Sequence, residues 1–266
     1  MSFKKTFVGF ALASGVAMAG SAAAFPEFQV NPNNFSALNA GSLGAFTADK
    51  AIGNYFETIT FTSATTFDVS LLWIAGQFAN TNVPITFNAA QTGLGSNYGL
   101  YATLLGSGTW STSGTTTTFN LNPGAGLNLW WDELANTNNS GNPANGSVLY
   151  PLVNTGDDIN IANGSSLAGD GTLTCSTGNN CGSFGQVTTF NLINGGANLF
   201  DVPSPFYKFS LQNGQFNGFS PTVGATLNLN GSADVEFVPE PSSLALIGLA
   251  LVGLAGISRK GRKAAA

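Results

Sequence analysis

Apolar and polar residues alternate along much of the chain. Tyr55, Glu57, Ile59 and Phe61 share one parity, against Phe56, Thr58, Thr60 and Thr62 on the other. Phe67, Val69, Leu71 and Trp73 repeat the pattern against Asp68 and Ser70. A period of two puts successive side chains on opposite faces, so both stretches are predicted as strands with one buried face. Further strands are predicted at Tyr98–Leu105, Thr115–Asn122, Leu127–Trp131, Val187–Ile193, Tyr207–Leu211 and Ala225–Phe237, separated by Gly, Asn and Pro. The run of Thr115 to Thr118 suits a half-exposed strand, because β-branched hydroxyl residues pack well on a pleated surface. The pattern predicts an all-β fold, a single β-sandwich or jelly-roll-like domain. Between Trp131 and Tyr150, and again from Asn154 to Gly182, Asn, Gly, Pro and Ser dominate and predict long surface loops.

Two apolar runs depart from this alternation, one near each end. Lys4 and Lys5 precede an apolar stretch from Phe7 to Gly20, then Ser21, Ala22, Ala23 and Ala24. That charged, apolar, small-residue order is the pattern of a secretory signal peptide, with cleavage between Ala24 and Phe25. The second run, Leu244 to Ile257, is followed by Arg259, Lys260, Arg262 and Lys263, which the positive-inside rule keeps in the cytoplasm. As a helix, its 14 residues reach only about 21 Å, short for a lasting span and better suited to a transient stay in the inner membrane. The expected organisation is therefore a signal peptide at 1–24, an extracellular all-β domain at 25–238 and a sorting segment at 239–266.

Immediately before the second run stands Val238-Pro239-Glu240-Pro241. Pro-Glu-Pro, then an apolar helix, then a basic tail resembles the C-terminal sorting domain of PEP-CTERM proteins. The resemblance implies an exosortase-type membrane peptidase as partner, which recognises Pro239, Glu240 and Pro241 and removes the helix. It also implies delivery to the cell envelope or the extracellular matrix.

Composition narrows the partners. Of eight Lys and Arg, only Lys50 and Lys208 lie between the two terminal segments, against all 13 acids through Glu240, so the exported part carries about −11 charges. Such a body cannot neutralise a row of phosphates, which disfavours nucleic acid and anionic lipid headgroups. Neutral or cation-bridged extracellular polysaccharide is compatible. Only 8% of residues are charged while Phe occurs 21 times, a combination that points to a folded core rather than disorder. Cys175 and Cys181 are expected to form a disulfide in an oxidising compartment, closing a small ring worth about 2.4 kcal/mol of unfolded-state entropy.

No histidine is present, so Ser-His-Asp and Cys-His nucleophilic mechanisms lack their proton acceptor, and zinc lacks its usual ligands. The chain is therefore expected not to be an enzyme. Paired carboxylates, Asp132 with Glu133, Asp157 with Asp158 and Asp234 with Glu236, keep a polysaccharide-modifying enzyme as the alternative. No cofactor is expected, although Asp157, Asp158 and Asp170 offer hard oxygen ligands in a Gly-rich stretch that would suit calcium. Trp130 and Trp131 are candidate carbohydrate contacts, as in a specific carbohydrate-binding module. On one strand they must face opposite sides, and core packing competes with exposure for each.

The run Ile52-Gly53-Asn54-Tyr55-Phe56-Glu57, the stretch Thr66 to Phe78, Asn97 to Tyr101, Cys181 to Gln186, Asn191-Leu192, Pro205-Phe206-Tyr207 and Gly231 to Val235 resemble the flocculation-associated PEP-CTERM proteins. That resemblance implies a non-enzymatic role in floc formation, where cells are held together in exopolysaccharide. It brings no catalytic or ligand-binding residues with it.

Overall fold

The structure is a computed structural model that describes residues 25–35 and 43–239. The signal segment with Ala24, and Glu240, Pro241 and the apolar run beyond them, lie outside the described residues. Among the described residues no helix is long and apolar enough to cross a membrane.

In chain order the elements are β1 (Phe28–Val30), α1 (Pro32–Phe35), β2 (Phe46–Ala48), β3 (Lys50–Phe61), β4 (Thr66–Asn80), β5 (Ile85–Thr86), α2 (Ala89–Thr92), β6 (Gly99–Ser113), β7 (Thr116–Leu121) and β8 (Gly126–Asp132). They continue with β9 (Asn138–Asn139), β10 (Leu152–Val153), β11 (Asp158–Leu173), β12 (Gly182–Thr189), β13 (Asn191–Leu192), α3 (Gly196–Leu199), β14 (Phe209–Phe216) and β15 (Thr226–Val238).

β7 and β8 behave as one strand interrupted at 122–125, because both run antiparallel to β6 on one side and to β11 on the other. The neighbours then follow chain order: β3, β4, β6, β7 with β8, β11, β12, β14, β15. The last strand pairs back onto β3, with Glu236 opposite Lys50 and Thr226 opposite Thr60. The ladder is thus an antiparallel ring of eight strand positions in up-and-down order. The all-β, single-domain expectation holds: two apolar walls face one core, and they are joined along both edges. Joining them removes the unpaired edges that an open sandwich would present.

Alternation along each strand divides the inside from the outside. Tyr55, Ile59 and Phe61 of β3, Phe67, Val69 and Trp73 of β4, Leu100 and Leu104 of β6, and Leu127 and Leu129 of β8 are buried in the common core. Opposite parities carry Asn54, Thr60, Asp68, Thr109, Asn120, Asn213, Asn228 and Ser232 on the outer face. A membrane-spanning barrel has the reverse arrangement, with its apolar band outward.

Large inward side chains are seated over inward glycines of neighbouring strands. A Cβ on Gly53 would collide with Trp73, and one on Gly214 with the Phe184 ring. Small beside large is how a narrow barrel fills without voids. Glycine also explains the main departure from the expected loops. Residues 154–182 contain β11, a 16-residue strand of the ring. Its inward positions 169 and 171 are glycines, so the apolar phase that marks a strand in the sequence is erased there. At Gly164 a Cβ would strike the Thr189 carbonyl of the adjoining segment, so the close approach demands glycine.

One end of the ring is closed by rings. Phe28 meets Phe237 edge-on with centroids 4.9 Å apart, and Phe190, Phe200 and Phe206 pack around the same Phe237. Residues 133–157 cross the outside of β3, β4 and β8, where Tyr150 joins Leu72, Tyr101 and Trp130 in a small second cluster. The Tyr150 and Thr58 hydroxyls lie 3.0 Å apart, fastening that crossing to β3.

Candidate functional site

The sorting triplet starts where the barrel stops. β15 is paired with β3 as far as Glu236 and with β14 as far as Val238, and Phe237 is buried in the aromatic plug. Pro239, the first residue of the triplet, follows directly and is exposed. The proline ends the ladder because it has no amide proton to donate. At the N-terminal side of the domain sequence, Phe25 is exposed beside the expected cleavage position.

Cys175 and Cys181 form the expected disulfide, with Cα atoms 5.2 Å apart. It pins the β11–β12 connection, and the Gly218 amide donates to the Gly178 carbonyl inside the ring it closes.

The two adjacent tryptophans face opposite sides, as strand geometry requires. Trp131 points inward, is fully buried, and stacks on Tyr98. It is therefore not a carbohydrate contact: the apolar interior takes it. Trp130 points outward, lies parallel to Tyr101, and is half-buried under residues 133–157. Only Trp130 keeps a face near solvent.

Of the three calcium candidates, Asp157 and Asp158 come together and Asp170 does not. Asp170 lies 12 residues along β11 from Asp158, about 40 Å at strand rise. Asp132 joins the pair instead, because β8 and β11 place Asp132 directly opposite Asp158. One oxygen from each of Asp132, Asp157 and Asp158 falls within 4.8 Å of the others, a hard-oxygen set of the kind calcium takes. Glu133 is outside this group. Separation along the chain, 25 residues between Asp132 and Asp157, hid the grouping; only the β8–β11 pairing reveals it.

These carboxylates already hold the chain. Asp132 accepts the Asn136 and Thr137 amides at 3.1 and 2.9 Å, and Asp157 accepts the Leu134 amide at 2.9 Å. Asp158 accepts the Tyr101 hydroxyl at 2.5 Å and the Thr137 hydroxyl at 2.9 Å. Burial raises the Asp158 carboxyl above its ordinary range, and the neighbouring Asp132 and Asp157 charges add to the rise against the two hydroxyl donors. The group staples the 133–137 turn onto the barrel rim. The other pair, Asp234 and Glu236, sits outside the barrel around Lys50, whose Nζ is 3.0 Å from Asp234. Burial comes first in raising Glu236, offset in part by Lys50.

A carboxylate that the sequence places in the inward phase sits inside the ring. Glu57 lies opposite Leu71 of β4 and Leu229 of β15 and lines a cavity of about 80 Å³. Desolvation pushes its carboxyl up to about 7. Its signal was the one charged letter in the run Tyr55, Glu57, Ile59, Phe61.

No curated protein and no solved structure matches the chain. A family model does: the PEP-CTERM protein-sorting motif, over residues 237–260. The match starts at Phe237, the last buried residue of β15, and runs through Pro239, Glu240 and Pro241 into the basic tail. The chain carries the PEP-CTERM protein-sorting motif, the recognition signal for exosortase, and is an exported, exosortase-sorted protein of the cell surface or envelope.

Proposed function

We propose that the exported barrel has a non-enzymatic role in cell aggregation, associating with extracellular polysaccharide through its outer wall. The observation that supports this is the chemistry of that wall. Thr60 and Thr226, Ser111 and Thr118, Asn122 and Ser107, and Asn160 and Asn128 form cross-strand hydroxyl and amide ladders around it. Neutral sugars present the same groups, so a ladder of uncharged donors and acceptors offers many weak, exchangeable hydrogen bonds to a polymer. Trp130, half-buried among them, adds an aromatic face. The exported part is acidic, and Lys50 is engaged with Asp234, which favours neutral or cation-bridged chains over strongly anionic ones.

The polysaccharide-modifying alternative would draw on Asp132, Asp157 and Asp158, whose oxygens are committed to the 133–137 turn and to Tyr101. Deleting the gene tests the proposal. Loss of floc formation, restored by the full-length chain and by an Asp157→Asn chain alike, is expected. Normal flocs in the deletion strain would overturn it.

A further inference from the structure

The interior of the ring contains polar groups with nothing to bind. Glu57 has no hydrogen-bond or ion-pair partner among the described residues, and its flanking inward neighbours on β4 and β15 are Leu71 and Leu229. Across the same cavity stands Gln186 of β12, a buried residue whose Nε2 is without a hydrogen-bond partner. A second cavity of about 60 Å³ adjoins the first, sharing Leu71, Leu104, Phe184 and Gln186, and adds Gln212 of β14. Gln212 donates to Thr188 at 3.2 Å, yet its Oε1 has no partner.

Leaving such groups unpaired in an apolar interior costs about 1–3 kcal/mol each, and more for a carboxylate. A sequence under no demand for them would place Leu at these inward positions, as it does at 71, 104 and 229. Eight-stranded rings have an interior wide enough to be filled by side chains or to hold one small ligand. Here two of the three unpaired groups are acceptors, and one of those is ionisable. The two lysines of the domain are not inside to answer it: Lys50 is on the outer face, and Lys208 precedes β14.

We infer that the barrel interior is a binding site for a small, mainly apolar amine, its ammonium seated against Glu57 and its hydrocarbon against Phe67, Phe119 and Phe184. The apolar walls remove the ligand body from water, while the ammonium donates to the Glu57 carboxylate. The site is separate from the outer wall proposed to meet polysaccharide.

The titratable groups around Glu57 are few. Tyr55 on its own strand donates to the Gln215 carbonyl at 2.7 Å and is held protonated by burial and by the Glu57 charge. Tyr150 lies behind the wall and is raised first by burial. Asp170 of β11 borders the cavity but is exposed and in the outward phase of its strand, opposite Asn120. Glu57 therefore governs the pH response of the pocket. An ammonium stabilises its ionised form, so binding should strengthen as pH rises through about 7.

Calorimetric titration of the full chain with benzylamine and with toluene tests the assignment. Saturable benzylamine binding is expected, about tenfold tighter at pH 8 than at pH 6 and lost in Glu57→Gln, with toluene binding weaker and indifferent to pH. Absence of saturable benzylamine binding would overturn it, as would equal uptake of benzylamine and toluene by both proteins. Should Glu57→Gln not fold, carbon-13 NMR of the wild-type carboxyls decides: benzylamine should move the Glu57 titration below about 7, and an unmoved titration would contradict the site.

Discussion

Trp131 lies flat on Tyr98, with ring centroids 4.0 Å apart and planes 10° from parallel. Both residues are fully buried, and Phe35 packs against Trp131 with centroids 4.9 Å apart. Trp131→Ala should therefore cost about 3–5 kcal/mol of stability through the cavity it leaves. Trp130→Ala, on the outer face, should cost much less and weaken polysaccharide association instead. Urea unfolding of both variants, with co-sedimentation on exopolysaccharide, checks the contrast.

The fold is slightly acid-favouring through Glu57. Its carboxyl titrates at about 7 in the folded barrel and near 4.5 when solvated, so the folded state binds the extra proton between those values. Stability is then full below about pH 4.5 as far as this group is concerned, and is lost as pH rises through about 7. The loss between pH 5 and pH 8 should be about 2–3 kcal/mol from this group alone. Chemical denaturation across that range should show the fall, and Glu57→Gln should flatten it.

Asp132→Ala removes the acceptor for the Asn136 and Thr137 amides. A cost of about 1–3 kcal/mol is expected, with faster proteolytic cleavage between 133 and 137. Thermal unfolding and timed proteolysis read the two effects together.

Gly214→Ala places a methyl group against the Phe184 ring inside the barrel. Overpacking of this kind costs about 1–3 kcal/mol. Pairing it with Phe184→Leu should recover part of the loss, and a double-mutant cycle in urea measures the recovery.

How far these features could be read from the letters differs strand by strand. β3 and β4 were legible because Tyr55 to Phe61 and Phe67 to Trp73 keep the two-residue phase without interruption, and the opposite facing of Trp130 and Trp131 followed from that same geometry. β11 was not, because Gly169 and Gly171 occupy its inward phase and the wall there is completed by neighbours such as Phe119 and Phe184. Ring closure was hidden too, since the return of β15 onto β3 joins residues more than 160 positions apart. The Asp132, Asp157 and Asp158 group depends on the β8–β11 register, which no spacing rule supplies. The sorting triplet needed no structure at all, being a contiguous word.

On the function proposed above, the exported protein holds to polysaccharide without altering it. Size-exclusion chromatography with light scattering, on the protein recovered from the matrix and mixed with the host's exopolysaccharide, tests it directly. Co-elution with polysaccharide of unchanged mass is the expected result. Separate elution, or a falling polysaccharide mass on incubation, would contradict it.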